Sequence, residues 1–252
     1  MAQDGYFGGR VAASYDLDLA GTGRAEVGPT VDLLRELAQG GRALELAIGT
    51  GRVALPLAST GVPVAGIELS QAMVQQLRAK PGGTAIEVAI GDMATTHVPG
   101  PFALVYLVFN TINNLTTQEA QIACFANAAA HLQPGGRFLI EVGVPSLQRL
   151  PRGETRLAFA HSATHWGIDE FDVVTQGLTS HHIRLRDGSW EQLSVPFRYV
   201  WPAELDLMAR LAGLSLEERW GGWAREPFSG LSESHVSVWR KPDFDEPGSR
   251  GE

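Results

Sequence analysis

The sequence predicts an α/β chain in which a parallel sheet with helical crossovers is followed by a stretch of antiparallel β-structure. Three observations lead there. Between residues 43 and 142, short apolar runs (43–48, 62–69, 86–90, 102–108 and 137–142) alternate with segments of helical period, and such alternation builds parallel sheets with right-handed crossovers. The first run opens into Gly49-Thr50-Gly51, a turn that leads into a helix. From 145 to 199 the helical period gives way to extended sequence.

A chain of 252 residues, 44% of them hydrophobic, can bury the core of one α/β domain with elaborations, so a second complete domain is not required. The net charge is −8 and the Lys and Arg residues are scattered, which disfavours a nucleic-acid partner. Cys124 is the single cysteine, so no intramolecular disulfide can form. The polar opening Met1-Ala2-Gln3-Asp4-Gly5 does not read as a signal, and no apolar run reaches membrane-spanning length. A cytoplasmic protein with no membrane partner is expected.

Taken in order, residues 6–25 are glycine-rich and mixed, with a helical turn expected at 11–16, and read as a cover over the body. A helix starts at Pro29, presents Val31, Leu34, Leu37 and Ala38 on one face, and stops at Gly40-Gly41. Crossover helices are expected at 53–59 and 72–80, the latter capped by Ser70 and broken by Pro81-Gly82-Gly83. Thr116-Thr117-Gln118-Glu119 has capping-box spacing, and Ile122, Phe125, Ala129 and Leu132 continue a helix in which Cys124 reads as core and His131 as a partner of the helix dipole. Gln133-Pro134-Gly135-Gly136 then turns into the strand 137–142. In the extended part, Asp187-Gly188 between 183–186 and 189–195 marks a tight hairpin with Arg184 opposite Glu191, and 171–176 reads as a further strand. A helix from Trp201-Pro202 carries the apolar stripe Leu205, Met208, Leu211 and Ala212; strands at 214–220 and 235–240 and a tail rich in Asp, Glu, Gly and Pro complete the chain.

The glycine turn carries the chemistry. Glycines at 49 and 51 allow a sharp bend and close approach of a ligand to the backbone, while the following helix offers free N–H groups, an arrangement suited to a nucleotide-like cofactor. Gly49-x-Gly51-x-x-Ala54 also fits the dinucleotide fingerprint, which keeps a nicotinamide cofactor open. Glu45, inside the first strand, needs a partner if buried. Glu68 closes the second strand at the spacing that sets a carboxylate on a ribose diol, and Asp92 closes the third, where an acid can accept from an adenine amine.

These motifs together resemble the class I S-adenosylmethionine-dependent methyltransferases over roughly residues 40 to 145. The family motif acid-x-Gly-x-Gly-x-Gly is matched by Glu45-Leu46-Ala47-Ile48-Gly49-Thr50-Gly51, with Ala47 in place of the first glycine. The resemblance implies a Rossmann-like seven-stranded sheet, mostly parallel with the last strand antiparallel, and a β-rich insertion after the fifth strand. It implies S-adenosylmethionine as cofactor, with Glu45, Ala47, Gly49 and Gly51 at its methionine part. Glu68 would bind the ribose with Leu69 beside it, Asp92 and Met93 would hold the adenine, and Asn110 would lie near the transferred methyl. Tyr15-Asp16 resembles a pair that closes over the cofactor in many small-molecule members. The cover and the insertion resemble those of amino-sugar N-methyltransferases from natural-product pathways.

The resulting division is a cover (1–28), a cofactor-binding core (29–144), a substrate-capping insertion (145–199), a C-terminal part of the core (200–241) and a disordered tail (242–252). In-line methyl transfer to an N or O atom of a small molecule asks mainly for orientation and exclusion of water, with a base where the acceptor must lose a proton. The insertion supplies His161, His165, His181, His182, Asp169 and Asp172 as candidate bases; His181, His182 and Asn110 are carried forward as catalytic candidates. His181 and His182 are adjacent on a strand and face opposite ways. No carboxylates follow the fourth strand and no zinc spacing occurs, so metal independence is expected. Trp166, Trp223 and Phe228 suit a substrate pocket or a subunit interface, as in a homodimer. Two rivals are a nicotinamide-dependent oxidoreductase, for which a Tyr-x-x-x-Lys pair is lacking, and a cofactor-binding protein without methyl transfer.

Overall fold

The computed structural model describes residues 8–20, 27–186 and 188–243. Its centre is a seven-stranded sheet in the order β10-β11-β5-β4-β1-β2-β3. The parallel part comprises β1 (Ala43–Leu46), β2 (Val64–Glu68), β3 (Glu87–Ile90), β4 (Phe102–Leu107) and β5 (Leu132–Gly143). Every residue of β1 and β4 is buried, as expected of central strands covered on both faces. Near the C-terminus, β10 (Ser215–Trp220) forms the edge and β11 (Ser234–Arg240) lies antiparallel between it and β5. The last strand is thus the antiparallel one, as expected.

Helices cover both faces. α2 (Gly28–Ala38) opens with Pro29 in its first turn, and α3 (Ala54–Ser59) connects β1 to β2. α4 (Gln71–Arg78) is capped by Ser70, whose Oγ accepts the Met73 N–H at 3.2 Å. α5 (Gln118–His131) joins β4 to β5, and α6 (Pro202–Leu211) precedes β10. One apolar layer gathers Leu33, Leu34 and Leu57 against Leu104, Tyr106 and Val238. The other packs Phe125, Phe138 and Trp239 edge to face, with ring centroids 5.1 Å and 5.4 Å apart about Phe125.

The helix α1 (Gly9–Ala20) is longer than the single turn expected. Three other local expectations are corrected. The α5 cap is Thr117, whose Oγ1 accepts the Ala120 N–H at 3.1 Å, one residue later than the capping-box reading. β5 begins at Leu132 and absorbs the Pro-Gly-Gly segment, because Gly135 and Gly136 bond to the Lys241 backbone. On α6 the buried stripe is Leu205, Met208 and Ala209, while Leu211 is exposed.

The β-rich insertion is a second, four-stranded antiparallel sheet: β6 (Arg156–His161), β7 (His165–Asp172), β8 (Gly177–Arg186) and β9 (Ser189–Arg198). Arg186 pairs with Ser189 across a two-residue turn, and Arg184 faces Glu191 as the hairpin reading requires. Asp187 lies outside the described residues. The strand expected at 171–176 ends at Asp172 instead, because Asp172 turns the chain by accepting from the Val174 N–H and Thr175 Oγ1. A polar clamp docks this sheet on the core. Buried Arg198 donates to Gln121 Oε1 and, at 2.8 Å, to Glu204 Oε1; Glu204 also accepts from Gln118 and Gln176. Gln121 Nε2 in turn donates to Ile112 O and Arg198 O. Of the tail, only Pro242 and Asp243 lie within the described residues, so the expectation of disorder falls largely outside them.

Candidate functional site at the carboxyl ends of the parallel strands

In the order β5-β4-β1-β2-β3 the chain departs from β1 toward β2 and later returns to β4 on the other side. A crevice at the carboxyl ends of β1 and β4 follows from that reversal, and open α/β sheets bind ligands there. The glycine turn lies at that point. Gly49 sits at φ +56, and a Cβ built on it would meet only Ala47 O at 4.0 Å, so its ligand-facing side is open. Gly51, at φ +77, is needed for another reason: a Cβ there would strike Leu77 Cδ1 of α4 at 2.2 Å. Ala47 holds φ 55, the left-handed region where the family glycine costs less.

Glu68 locks this turn. Its Oε2 accepts the Gly49 N–H at 2.8 Å and its Oε1 accepts the Ser70 N–H at 2.9 Å, with the residue 7% exposed. Beside it Leu69 and Ile90 are large apolar side chains left 39% and 42% exposed, and Asp92, after β3, accepts the Ala94 N–H on Oδ1 at 2.8 Å. Asn127 of α5 fixes the same segment by donating to Met93 O and Thr96 O. An open glycine, a carboxylate aimed by two backbone N–H groups and adjoining exposed apolar surface fit a cofactor with a ribose and a flat base.

Glu45 is placed differently from that group. It is 4% exposed, accepts from Tyr106 Oη at 2.9 Å and takes a backbone hydrogen bond from Ala54 at the start of α3. Burial pushes its carboxyl up to about 8, against the lowering effect of the Tyr106 bond and the Arg52 charge. Tyr106 supplies the partner the sequence demanded.

The end of β4 is braced by β5. The Phe109 N–H donates to Glu141 Oε2 at 2.6 Å, the Asn110 N–H to Glu141 O at 3.3 Å, and Asn110 Oδ1 accepts the Gly143 N–H. Phe109 and Asn110 are both left-handed, at φ 59 and 61, and the Arg52 guanidinium lies 3.6 Å from the Phe109 ring centroid. The 3₁₀ turn Thr111–Asn114 follows. Arg52, Phe109 and Glu141 were not singled out from sequence; Glu141, an acid inside an apolar strand, carried the same signal as Glu45.

Asp16 fastens α1 to the glycine turn. It accepts from Thr50 Oγ1 at 2.7 Å and pairs with Lys80 Nζ at 2.6 Å, while Lys80 also donates to Thr50 O. Burial opposes ionisation of Asp16, but the Lys80 and Thr50 hydrogen bonds outweigh it and hold the carboxyl below its usual range. Tyr15 is the partly buried neighbour on the same helix.

The two histidine candidates sit in the small sheet on opposite faces. His181 bonds Ser194 Oγ at 2.8 Å and lies 3.4 Å from Glu170. His182 meets His165 Nε2 at 3.1 Å and Ser180 Oγ at 3.3 Å, and burial beside the Arg184 charge pushes its imidazole down to about 4. These described partners all belong to the insertion. His131 is corrected: its Nε2 accepts the Val98 N–H at 2.9 Å, its Nδ1 bonds Asn127 O, and burial lowers its affinity for a proton. It is a neutral bridge rather than a charged partner of the helix dipole. Burial pushes the Cys124 thiol up to about 12, consistent with a core role.

The comparisons with known proteins agree with this geometry. Residues 43–136 match the family model described as a methyltransferase domain. The chain is 29% identical over 203 residues to the cypemycin N-terminal methyltransferase of a Streptomyces species, covering 77% of this chain and 81% of that protein. It is 32% identical over 132 residues to the dTDP-3-amino-3,4,6-trideoxy-alpha-D-glucopyranose N,N-dimethyltransferase of Streptomyces venezuelae, covering 50% of this chain and 54% of that protein. Among solved structures, the CcbJ methyltransferase of Streptomyces caelestis superposes with a TM-score of 0.83 at 34% identity, covering 95% of this chain and 99% of that one. With a glycine turn of this form, a relative matched along its whole length, and S-adenosylmethionine as the cofactor the site fits, the chain belongs to the class I S-adenosylmethionine-dependent methyltransferases.

Proposed function

We propose that this protein methylates an amine nitrogen of a small natural-product molecule, using S-adenosylmethionine, by direct in-line displacement. The observation that carries the cofactor half is the Glu68 carboxylate, held across Gly49 and Ser70 at the strand-order reversal. A carboxylate offers several acceptor positions on its two oxygens, and this one closes the second strand at the spacing that sets an acid on a ribose diol. The amine half is supported by the relatives named for N-terminal and amino-sugar N-methylation.

In this reading Glu45, Ala47, Gly49 and Gly51 line the methionine part, with Glu45 held by its bonds from Tyr106 and the Ala54 backbone. Glu68 binds the ribose, Leu69 lies against the base, and Asp92 with the Met93 backbone holds the adenine. Asn110 sets the β4 end near the reacting methyl, and Tyr15 closes over the cofactor on a helix fastened by Asp16. Bound S-adenosylmethionine supplies an electrophilic methyl on a sulfonium. The residues of this chain orient the nucleophile and exclude water. His181 or His182 would serve as the base for an acceptor that arrives protonated. The reading includes a cytoplasmic location and a homodimer, the latter measurable by light scattering.

Calorimetric titration with S-adenosylmethionine, S-adenosylhomocysteine and NAD(H) in parallel tests the cofactor. Binding of the two sulfur compounds alone is expected, and binding of NAD(H) alone would overturn the reading. Release of S-adenosylhomocysteine in the presence of amine acceptors tests the transfer.

A further inference from the structure

The 3₁₀ turn after β4 carries a polar atom that the fold leaves without a partner. Asn113 Oδ1 is buried and, among the described residues, accepts no hydrogen bond. Such an atom costs free energy, and native structures hold few of them. The turn around it is not loose. Gln121 Nε2 holds Ile112 O at 3.3 Å, Thr111 Oγ1 donates to Val108 O at 2.6 Å, and the Asn113 N–H donates to Asn110 O at 3.0 Å. The backbone is therefore fixed while the amide oxygen is unbound. Asn113 as a whole is partly exposed, its last torsion is soft, and turning the amide outward breaks no hydrogen bond of Oδ1.

The position of this amide is informative. The turn starts where β4 leaves the sheet, two residues after Phe109, on whose ring the Arg52 guanidinium is stacked. On its other side it is tied through Gln121 to Arg198, the last residue of β9. Asn113 thus stands between the cofactor end of the sheet and the insertion.

We propose that Asn113 Oδ1 accepts an N–H of the methyl acceptor, selecting amine nitrogen and aiming its lone pair; this rests on the amine reading above. In the step, the lone pair of a neutral amine forms the N–C bond while the S–C bond breaks and its electrons return to sulfur. Positive charge passes from sulfur to nitrogen, and the surplus N–H proton leaves to solvent afterwards. An N–H held by Asn113 becomes a stronger donor as the nitrogen turns cationic, so the contact strengthens toward the transition state. A hydroxyl acceptor gains less, because it must lose the very proton Asn113 would hold and an amide is no base.

The test uses Asn113→Leu and Asn113→Asp in the full-length protein. The probes are methyl-labelled S-adenosylmethionine with D-glucosamine, a trialanine peptide bearing a free amino terminus, and D-glucose as the hydroxyl control. Asn113→Leu is expected to bind S-adenosylhomocysteine within about twofold of wild type and to melt at or above the wild-type temperature. Its kcat/KM for the amines is expected to fall at least about 30-fold, through kcat. Asn113→Asp is expected to move the pH–rate profile to higher pH, because a carboxylate holds the acceptor in its ammonium form. Amine turnover within about threefold of wild type in Asn113→Leu, an unmoved profile in Asn113→Asp, or a melting temperature several degrees lower in both would overturn the proposal. A wild-type protein that methylates no amine of the panel defeats the amine reading itself and this proposal with it. Amine turnover indifferent to Asn113 defeats this proposal alone.

Discussion

Glu68 offers the sharpest test of the proposed cofactor site, because the side chain assigned to the ribose also braces the glycine turn. It already accepts from Gly49 and Ser70. Hydrogen bonds to a charged group contribute about 1.5–3 kcal/mol each. Glu68→Ala would therefore remove roughly 3–6 kcal/mol from the fold, against a typical domain stability of about 5–15 kcal/mol, as well as removing the proposed ribose contacts. A weak-binding alanine variant would be ambiguous. Glu68→Gln is the better perturbation, since it keeps one carbonyl oxygen for a backbone donor and the shape of the side chain. Losing one or both charge-assisted bonds to the diol weakens binding by about 1.5–6 kcal/mol, roughly 10-fold to 10⁴-fold in Kd. Calorimetry with S-adenosylhomocysteine reads the affinity, and urea unfolding reads the fold separately through its midpoint at constant slope. A folded Glu68→Gln protein with wild-type affinity would refute the ribose assignment.

Three further outcomes follow from buried or bridging charges. Glu45 binds its proton more tightly in the folded chain, with a pKa near 8, so folding takes up a proton between the ordinary carboxylate range and pH 8. Stability should fall as pH rises across that window and level off above it; urea unfolding from pH 5 to 9 should show a flatter curve for Glu45→Gln, and parallel curves would contradict the burial argument. Truncating Arg198 leaves the largely covered Glu204 without its cation, and Arg198→Ala should lose about 3–5 kcal/mol, with much of it recovered in Arg198→Met/Glu204→Leu; a loss under about 1 kcal/mol would mean the clamp is not a desolvated pair. Asp16→Asn should leave the melting temperature near wild type yet speed hydrogen exchange over α1 and weaken cofactor binding several-fold; unchanged exchange would show that α1 is held by other contacts.

The parallel core was legible because its strands are buried on both faces and read as unbroken apolar runs, as in β1 and β4. The glycine turn and its acids were legible because turn chemistry is local. The insertion was legible only in its hairpin. β6 and β7 carry irregular patterns of partly exposed residues, and β6 is bulged against β7 between Ala158 and Ala160, so period-2 alternation is blurred. The braces were invisible for another reason. Tyr106 meets Glu45 across 61 residues, Glu141 meets Phe109 across 32, and Gln121 meets Arg198 across 77. No window along the chain encodes such pairings. The Asn113 Oδ1, unpartnered among the described residues, was likewise beyond sequence, since the lack of a partner is a property of everything around it.

The clamp about Arg198 has a consequence for how such an enzyme can diverge. It seats the small sheet on the core at one corner, where β9 ends against α5 and α6, while β6 stands at the far edge of that sheet. Mutations in β6 and β7 can thus remodel the outer strands of the small sheet without crossing into the strands that hold the glycine turn. Lineages that inherit the corner intact are free to vary those outer strands, and those that lose it forfeit the seat of the whole small sheet.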